Sequence, residues 1–125
     1  MTLVEGSITT TRVCAVADLT PELGVAALVA GEQVAVFLLA DGSVHAVQNL
    51  DPFSGAYVMS RGITGSRGDV PTIASPLYKQ VFSLLDGACL VTMDKDPKPG
   101  LAPDLAVHRV RLDNGEVFID LAGSV

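Results

Sequence analysis

Two dipeptides constrain this chain most. Asp41-Gly42 and Asn114-Gly115 each separate two runs rich in β-branched and aromatic residues. Asp-Gly and Asn-Gly accept the backbone of a tight antiparallel turn, so each predicts a β-hairpin. The first pairs residues 34–39 with 44–47, and the second pairs 107–112 with 116–120. In the second, apolar and polar residues alternate. Val110, Leu112, Val117 and Ile119 are assigned to one face, and Arg109 and Arg111 to the other. Further strands are expected at 11–16, 24–29, 72–74 and 81–84, with a turn at Asp86-Gly87. A short helical turn after Asp18 is expected as well, capped by Asp18 or Thr20 ahead of Pro21. Many short strands between turn signals predict an all-β sandwich or barrel.

At 125 residues the chain suits one domain spanning 1–125, with a core of about 11–121. Although 49% of residues are apolar, no apolar run reaches the ~20 residues of a membrane helix. The best candidate, residues 23–40, is interrupted by Gly31-Glu32-Gln33 and alternates as strands do. No basic segment precedes an apolar block at the start, so no secretory signal is read and a cytoplasmic location is expected. A net charge of −6 argues against general nucleic-acid binding. Cys14 and Cys89 belong to no CxxC motif and read as two buried thiols. His45 and His108 fall on predicted strands, away from any paired ligand.

Two stretches lack a regular pattern. Residues 49–71 are rich in Gly, Ser, Asp and Pro, and 94–104 carry three prolines and read as an extended connection. At the start of the first stretch stands Asp51-Pro52-Phe53. Shortly after its end stands Ser75-Pro76-Leu77-Tyr78.

These two segments resemble the cluster-binding loops of Rieske proteins with the ligands removed. A Rieske domain holds a 2Fe–2S cluster by Cys-x-His on one loop and Cys-x-x-His on another, two thiolates on one iron and two imidazoles on the other. Here Asp51 and Ser75 stand at the cysteine positions, and Phe53 and Tyr78 at the histidine positions. None of the four is a ligand of that kind. Taken with Ser54-Gly55, Ser60-Arg61-Gly62 and Lys79-Gln80, the two segments resemble the small subunit of assimilatory NAD(P)H-dependent nitrite reductase. The similarity runs from about Val13 to about Ile119.

That resemblance implies a Rieske-like antiparallel sandwich with two loops in the place of the cluster-binding loops. It implies no catalytic, cofactor-binding or metal-binding residue in this chain. The expected partner is a large subunit that carries FAD, an iron–sulfur cluster and sirohaem and reduces nitrite to ammonium with NAD(P)H. This chain then has an accessory role, and no nucleic-acid or membrane partner is expected. The alternative functions are a free-standing binding or regulatory module and an electron-carrying ferredoxin, against which the missing ligands weigh.

Each site residue also has a simpler reading. Asp51 with Ser75 and Tyr78 offers oxygens to a hard cation, but Asp69 is the only other acid nearby, and calcium needs more carboxylates. The structural reading has Asp51 accepting hydrogen bonds and Phe53 and Tyr78 filling the space of the cluster and imidazoles. A Ser75–Lys79 nucleophile and base would lie ~13 Å apart on an extended segment. Arg61, Arg67 and Lys79 against Asp69 leave this region with a local charge of +2. That suggests either solvated loop charge or a docking edge, on which Phe53, Arg61, Arg67, Tyr78 and Lys79 would contact the partner.

Overall fold

The computed structural model describes residues 8–122. The remaining ends of the expected domain, 1–7 and 123–125, lie outside the described residues. The strands are β1 (Ile8–Ala15), β2 (Gly24–Val29), β3 (Glu32–Leu38), β4 (Val44–Gln48), β5 (Ile63–Arg67), β6 (Val70–Ala74), β7 (Val81–Ser83), β8 (Cys89–Val91), β9 (Val107–Asp113) and β10 (Glu116–Ala122). They form a six-stranded sheet in the order β1-β10-β9-β4-β3-β2 and a four-stranded sheet in the order β5-β6-β7-β8. Every pairing is antiparallel. The expected all-β antiparallel sandwich is therefore the observed class.

The core is organised around β3, the strand whose residues 34–38 are all buried. Val34, Val36 and Leu38 pack with Leu19, Val29, Ala46, Val117, Ile119 and Leu121. The alternate residues Ala35 and Phe37 face Val47, Phe53, Met59, Ile73, Phe82, Leu84 and Leu105, between the two sheets. A strand covered on both faces must be apolar at every position, which explains why this run does not alternate with polar residues. At the adjacent edge, β2 passes so close to the short 3-10 turn Met59–Arg61 that a Cβ on Gly24 would lie 2.3 Å from the Ser60 carbonyl oxygen.

Turn geometry corrects several expectations. Asn114 and Gly115 both have positive φ, 56° and 80°, as a two-residue hairpin turn requires. Asp41-Gly42 instead belongs to a longer loop. The Gly42 N–H donates to Leu39 O at 2.9 Å, and Gly42 alone is left-handed, at φ 89°. Gly31, read only as part of the Gly31-Glu32-Gln33 interruption, closes the β2–β3 hairpin together with Ala30, with φ of 85° and 48°. Gly68-Asp69 closes β5–β6, with Gly68 at φ 60°, so residues 49–71 are not a single irregular loop. The expected helical turn after Asp18 is a 3-10 turn at Val16–Asp18, ahead of the expected position. The Asp18 carboxylate accepts the Ala15 N–H at 3.1 Å, so it holds the turn from its end rather than starting a new one. Leu112, beside the Asn114-Gly115 turn, is 50% exposed, unlike its cross-strand partner Val117 and Ile119. On the other face, Arg111 is 3.1 Å from the Asp120 carboxylate.

His45 on β4 and His108 on β9 are half-buried, and burial holds both imidazoles below their ordinary value of 6.5. Asp41 partly opposes the shift at His45, and Glu32 partly opposes it at His108. The unfolded chain therefore binds more protons than the folded one near the unfolded value. Stability is fully present above pH ~6.5 and falls as the pH drops through and below it. The urea midpoint is expected to be flat from pH 8 to 7 and to decline from about pH 6.5 to 5. A His45→Gln/His108→Gln variant should flatten that decline, and an undiminished slope would refute this assignment.

Candidate functional site

The segment replacing the first Rieske loop runs from Asp51 to Val58. Asn49, buried at the end of β4's extension, fixes its base. Its side chain donates to Gln33 Oε1 at 3.2 Å and Tyr57 O at 3.3 Å, and accepts the Ser60 N–H at 2.8 Å. The loop then closes on itself, with Asp51 N–H donating to Ala56 O and Gly55 N–H donating to Asp51 O, both at 2.8 Å. Asp51 and Phe53 are thereby directed inward, at 0% and 3% exposure.

The second loop, Ser75 to Gln80, is pinched by the Ser75 N–H donating to Gln80 O at 2.9 Å. Ser75 is fully buried, and its hydroxyl donates to Asp51 Oδ2 at 2.6 Å. Asp51 Oδ2 also accepts from Ser54 Oγ at 2.9 Å, and Oδ1 accepts the Phe53 N–H at 2.9 Å. The Leu77 N–H donates to Ser75 Oγ at 3.2 Å. The two positions that would carry thiolates on one iron are thus joined by a direct hydrogen bond. A buried carboxylate with three donors is a satisfied group.

The structure treats the two former histidine positions differently. Phe53 packs on Phe82, ring centroids 6.1 Å apart and tilted by 52°, and fills the space between the sheets. Tyr78 does not fill that space. It is 42% exposed, with Lys95 Nζ lying 4.8 Å from the ring centroid. The expected docking set is divided in the same way. Tyr78, Lys79 and Arg61 lie on the surface, whereas the burial of Phe53 removes it from any contact face. Arg67 pairs with Val70 at the hairpin end of β5–β6, and Ile63 pairs with Ala74 beside the second loop. Four residues of strand place Arg67 ~13 Å from that end.

Two other readings also fail on geometry. Ser75 is buried and bonded to Asp51, while Lys79 Nζ donates to Pro76 O at 3.2 Å, so they form no nucleophile–base pair. Asp69 sits in the β5–β6 turn, remote from Asp51, and no cluster of three or more metal-ligating side chains occurs among the described residues.

Nor does the donor set fit an iron–sulfur cluster. Asp51 and Ser75 satisfy each other, Phe53 offers no donor atom, and Tyr78 faces outward. Cys14 on β1 and Cys89 on β8 are free thiols on different sheets, and burial pushes both up from their ordinary value. His45 on β4 and His108 on β9 are half-buried strand residues of the six-stranded sheet, not of the two loops.

A third loop, missed in the sequence, completes this end of the molecule. The Lys98 N–H donates to Pro52 O at 2.8 Å, and buried Gln80 Nε2 donates to Thr92 O at 3.3 Å. Residues 92–98 are therefore packed against both loops rather than simply connecting β8 to β9. Three prolines in 94–104 signalled an extended path, but no residue type indicated where it lay.

The fold and these loops define a Rieske-like domain whose ligand positions have been turned to hydrogen bonding and packing. The profile of the Rieske-like 2Fe–2S domain family matches residues 9–120. A nitrite reductase (NADH) small subunit of Salmonella typhimurium strain LT2 is 44% identical over 80 residues, 63% of this chain and 74% of the relative. A crystal structure from Mycobacterium tuberculosis, assigned as an NADH-dependent nitrite reductase small subunit, superposes with a TM-score of 0.81. It is 44% identical and covers 94% of this chain and 98% of its own. A nitrite reductase [NAD(P)H] large subunit of Klebsiella oxytoca is 40% identical over 107 residues, 86% of this chain but 10% of that polypeptide. The chain belongs to the Rieske-like domain family, within the group of nitrite reductase small subunits.

Proposed function

We propose that this chain is the non-catalytic small subunit of an assimilatory NAD(P)H-dependent nitrite reductase. It would support a large subunit that carries FAD, an iron–sulfur cluster and sirohaem and reduces nitrite to ammonium. The observation that carries this reading is the Asp51–Ser75 hydrogen bond at 2.6 Å, made where two thiolates would meet iron. That bond, in place of thiolate ligands, supports a contribution to stability or assembly of the partner rather than to electron transfer. The Klebsiella homologue supports the pairing, because there a counterpart of this chain is part of a polypeptide named a large subunit. Arg61, Tyr78 and Lys79 are proposed as contacts with the partner. A cytoplasmic location fits this role, and no helix among the described residues is long and apolar enough to cross a membrane.

The test is co-expression with the candidate large subunit, followed by NAD(P)H-dependent nitrite reduction with and without this chain. A stable complex, whose activity or yield falls when the chain is omitted, is expected. No complex and no effect on either quantity would leave a free-standing binding module as the better reading.

A further inference from the structure

The second and third loops meet to form a face with three exposed large apolar side chains. Leu77 is 49% exposed, Tyr78 42% and Met93 50%. The Gln80–Thr92 hydrogen bond and the Lys95–Tyr78 stacking bring the turn carrying Met93 against the second loop. That turn, closed by Lys95 N–H donating to Thr92 O at 3.2 Å, holds Met93 and Asp94 at φ 58° each, and Lys79 stands at φ 68°. Left-handed backbone at residues other than glycine costs energy, and it persists where the surroundings enforce it, often at functional surfaces. None of this cost is recovered by burying Met93 within the chain. Exposed apolar side chains held on a rigid loop are the usual anchors of a protein interface.

We propose that Leu77, Tyr78 and Met93 enter an apolar recess of the large subunit whose rim carries carboxylates. This inference rests on the reading of the chain as that subunit's partner. Charge supports the rim: Lys79, Lys95 and Lys98 outnumber Asp94 and Asp96 by one, in a chain of net charge −6. Tyr78 supplies a rigid aromatic anchor with a polar tip, and Met93 adapts to the shape of the recess. Lys95, stacked on Tyr78, places its charge beside the anchor, where it can pair with a carboxylate at the rim. The large subunit is favoured over other occupants because a homologue of this chain is part of one.

The experiment measures binding of the full chain to the purified large subunit by calorimetry at two salt concentrations. Tyr78→Ser/Met93→Ser is expected to weaken binding by about thirty-fold or more with only a small shift of the thermal midpoint, from the lost Lys95 contact. Lys95→Glu/Lys98→Glu should weaken it by about ten-fold and reduce its salt dependence. Leu23→Ser/Leu28→Ser, at exposed apolar positions around β2, should bind as the wild type does. If the wild type binds and the Tyr78/Met93 variant stays within about three-fold of it, the docking face is wrong, while the subunit reading stands. If the wild type does not bind, both fall. If the variant abolishes self-association in sedimentation but keeps the large subunit, a second copy occupies the face and the proposal is overturned.

Discussion

Asp51→Ala is expected to lower the free energy of unfolding by about 3–5 kcal/mol, read as a drop in the urea midpoint at unchanged slope. The side chain accepts from the Ser75 hydroxyl, the Ser54 hydroxyl and the Phe53 N–H. Removing it leaves three donors without their acceptor, two of them in fully or nearly fully buried residues. Each stranded buried donor costs about 1–3 kcal/mol, and partial access of water to the half-buried Ser54 recovers some of the total. Ser75→Ala removes one donor to the carboxylate and the acceptor of the Leu77 N–H, which belongs to an exposed residue, and should cost about 1–3 kcal/mol. The two substitutions share a partner, so the double variant should be less destabilised than their sum. Simple additivity would show that the two loops are held together by something other than this bond.

Phe53→Ala is expected to cost about 3–5 kcal/mol, through lost burial and the cavity left against Phe82. Phe53 is 3% exposed and lies in the cluster between the two sheets, where Phe37, Met59 and Leu84 leave little freedom to collapse. Tyr78→Ala should change stability by less than about 0.5 kcal/mol beyond the loss of its contact with Lys95. The pair is informative because both side chains stand at former ligand positions. Equal effects would mean that both positions fill the space of the cluster, against the observed packing.

Much of this was legible in the sequence because hairpin chemistry is local. Asn114-Gly115 set the β9–β10 turn, and the apolar run at 34–39 identified a strand. The replacement of cysteine and histidine by Asp51, Phe53, Ser75 and Tyr78 was visible as a pattern, but its geometry was not. An aromatic residue at a lost ligand position can turn inward or outward, and the choice depends on tertiary space. Phe53 found Phe82, whereas Tyr78 found Lys95 from a loop far along the chain. The same limitation hid β5, since Thr64, Gly65 and Ser66 carry little apolar signal and owe their strand to pairing with β6. Arg67 looked close to Tyr78 because both lie in one polar region, but the hairpin register carries it to the other end of the sheet.

The most direct test of the central claim measures iron and acid-labile sulfide in the purified chain, then adds that same sample to the large subunit. The account predicts a colourless protein with no stoichiometric iron that still supports formation and activity of the complex. Two irons per chain, with support lost after chelation and restored by reconstitution, would contradict it.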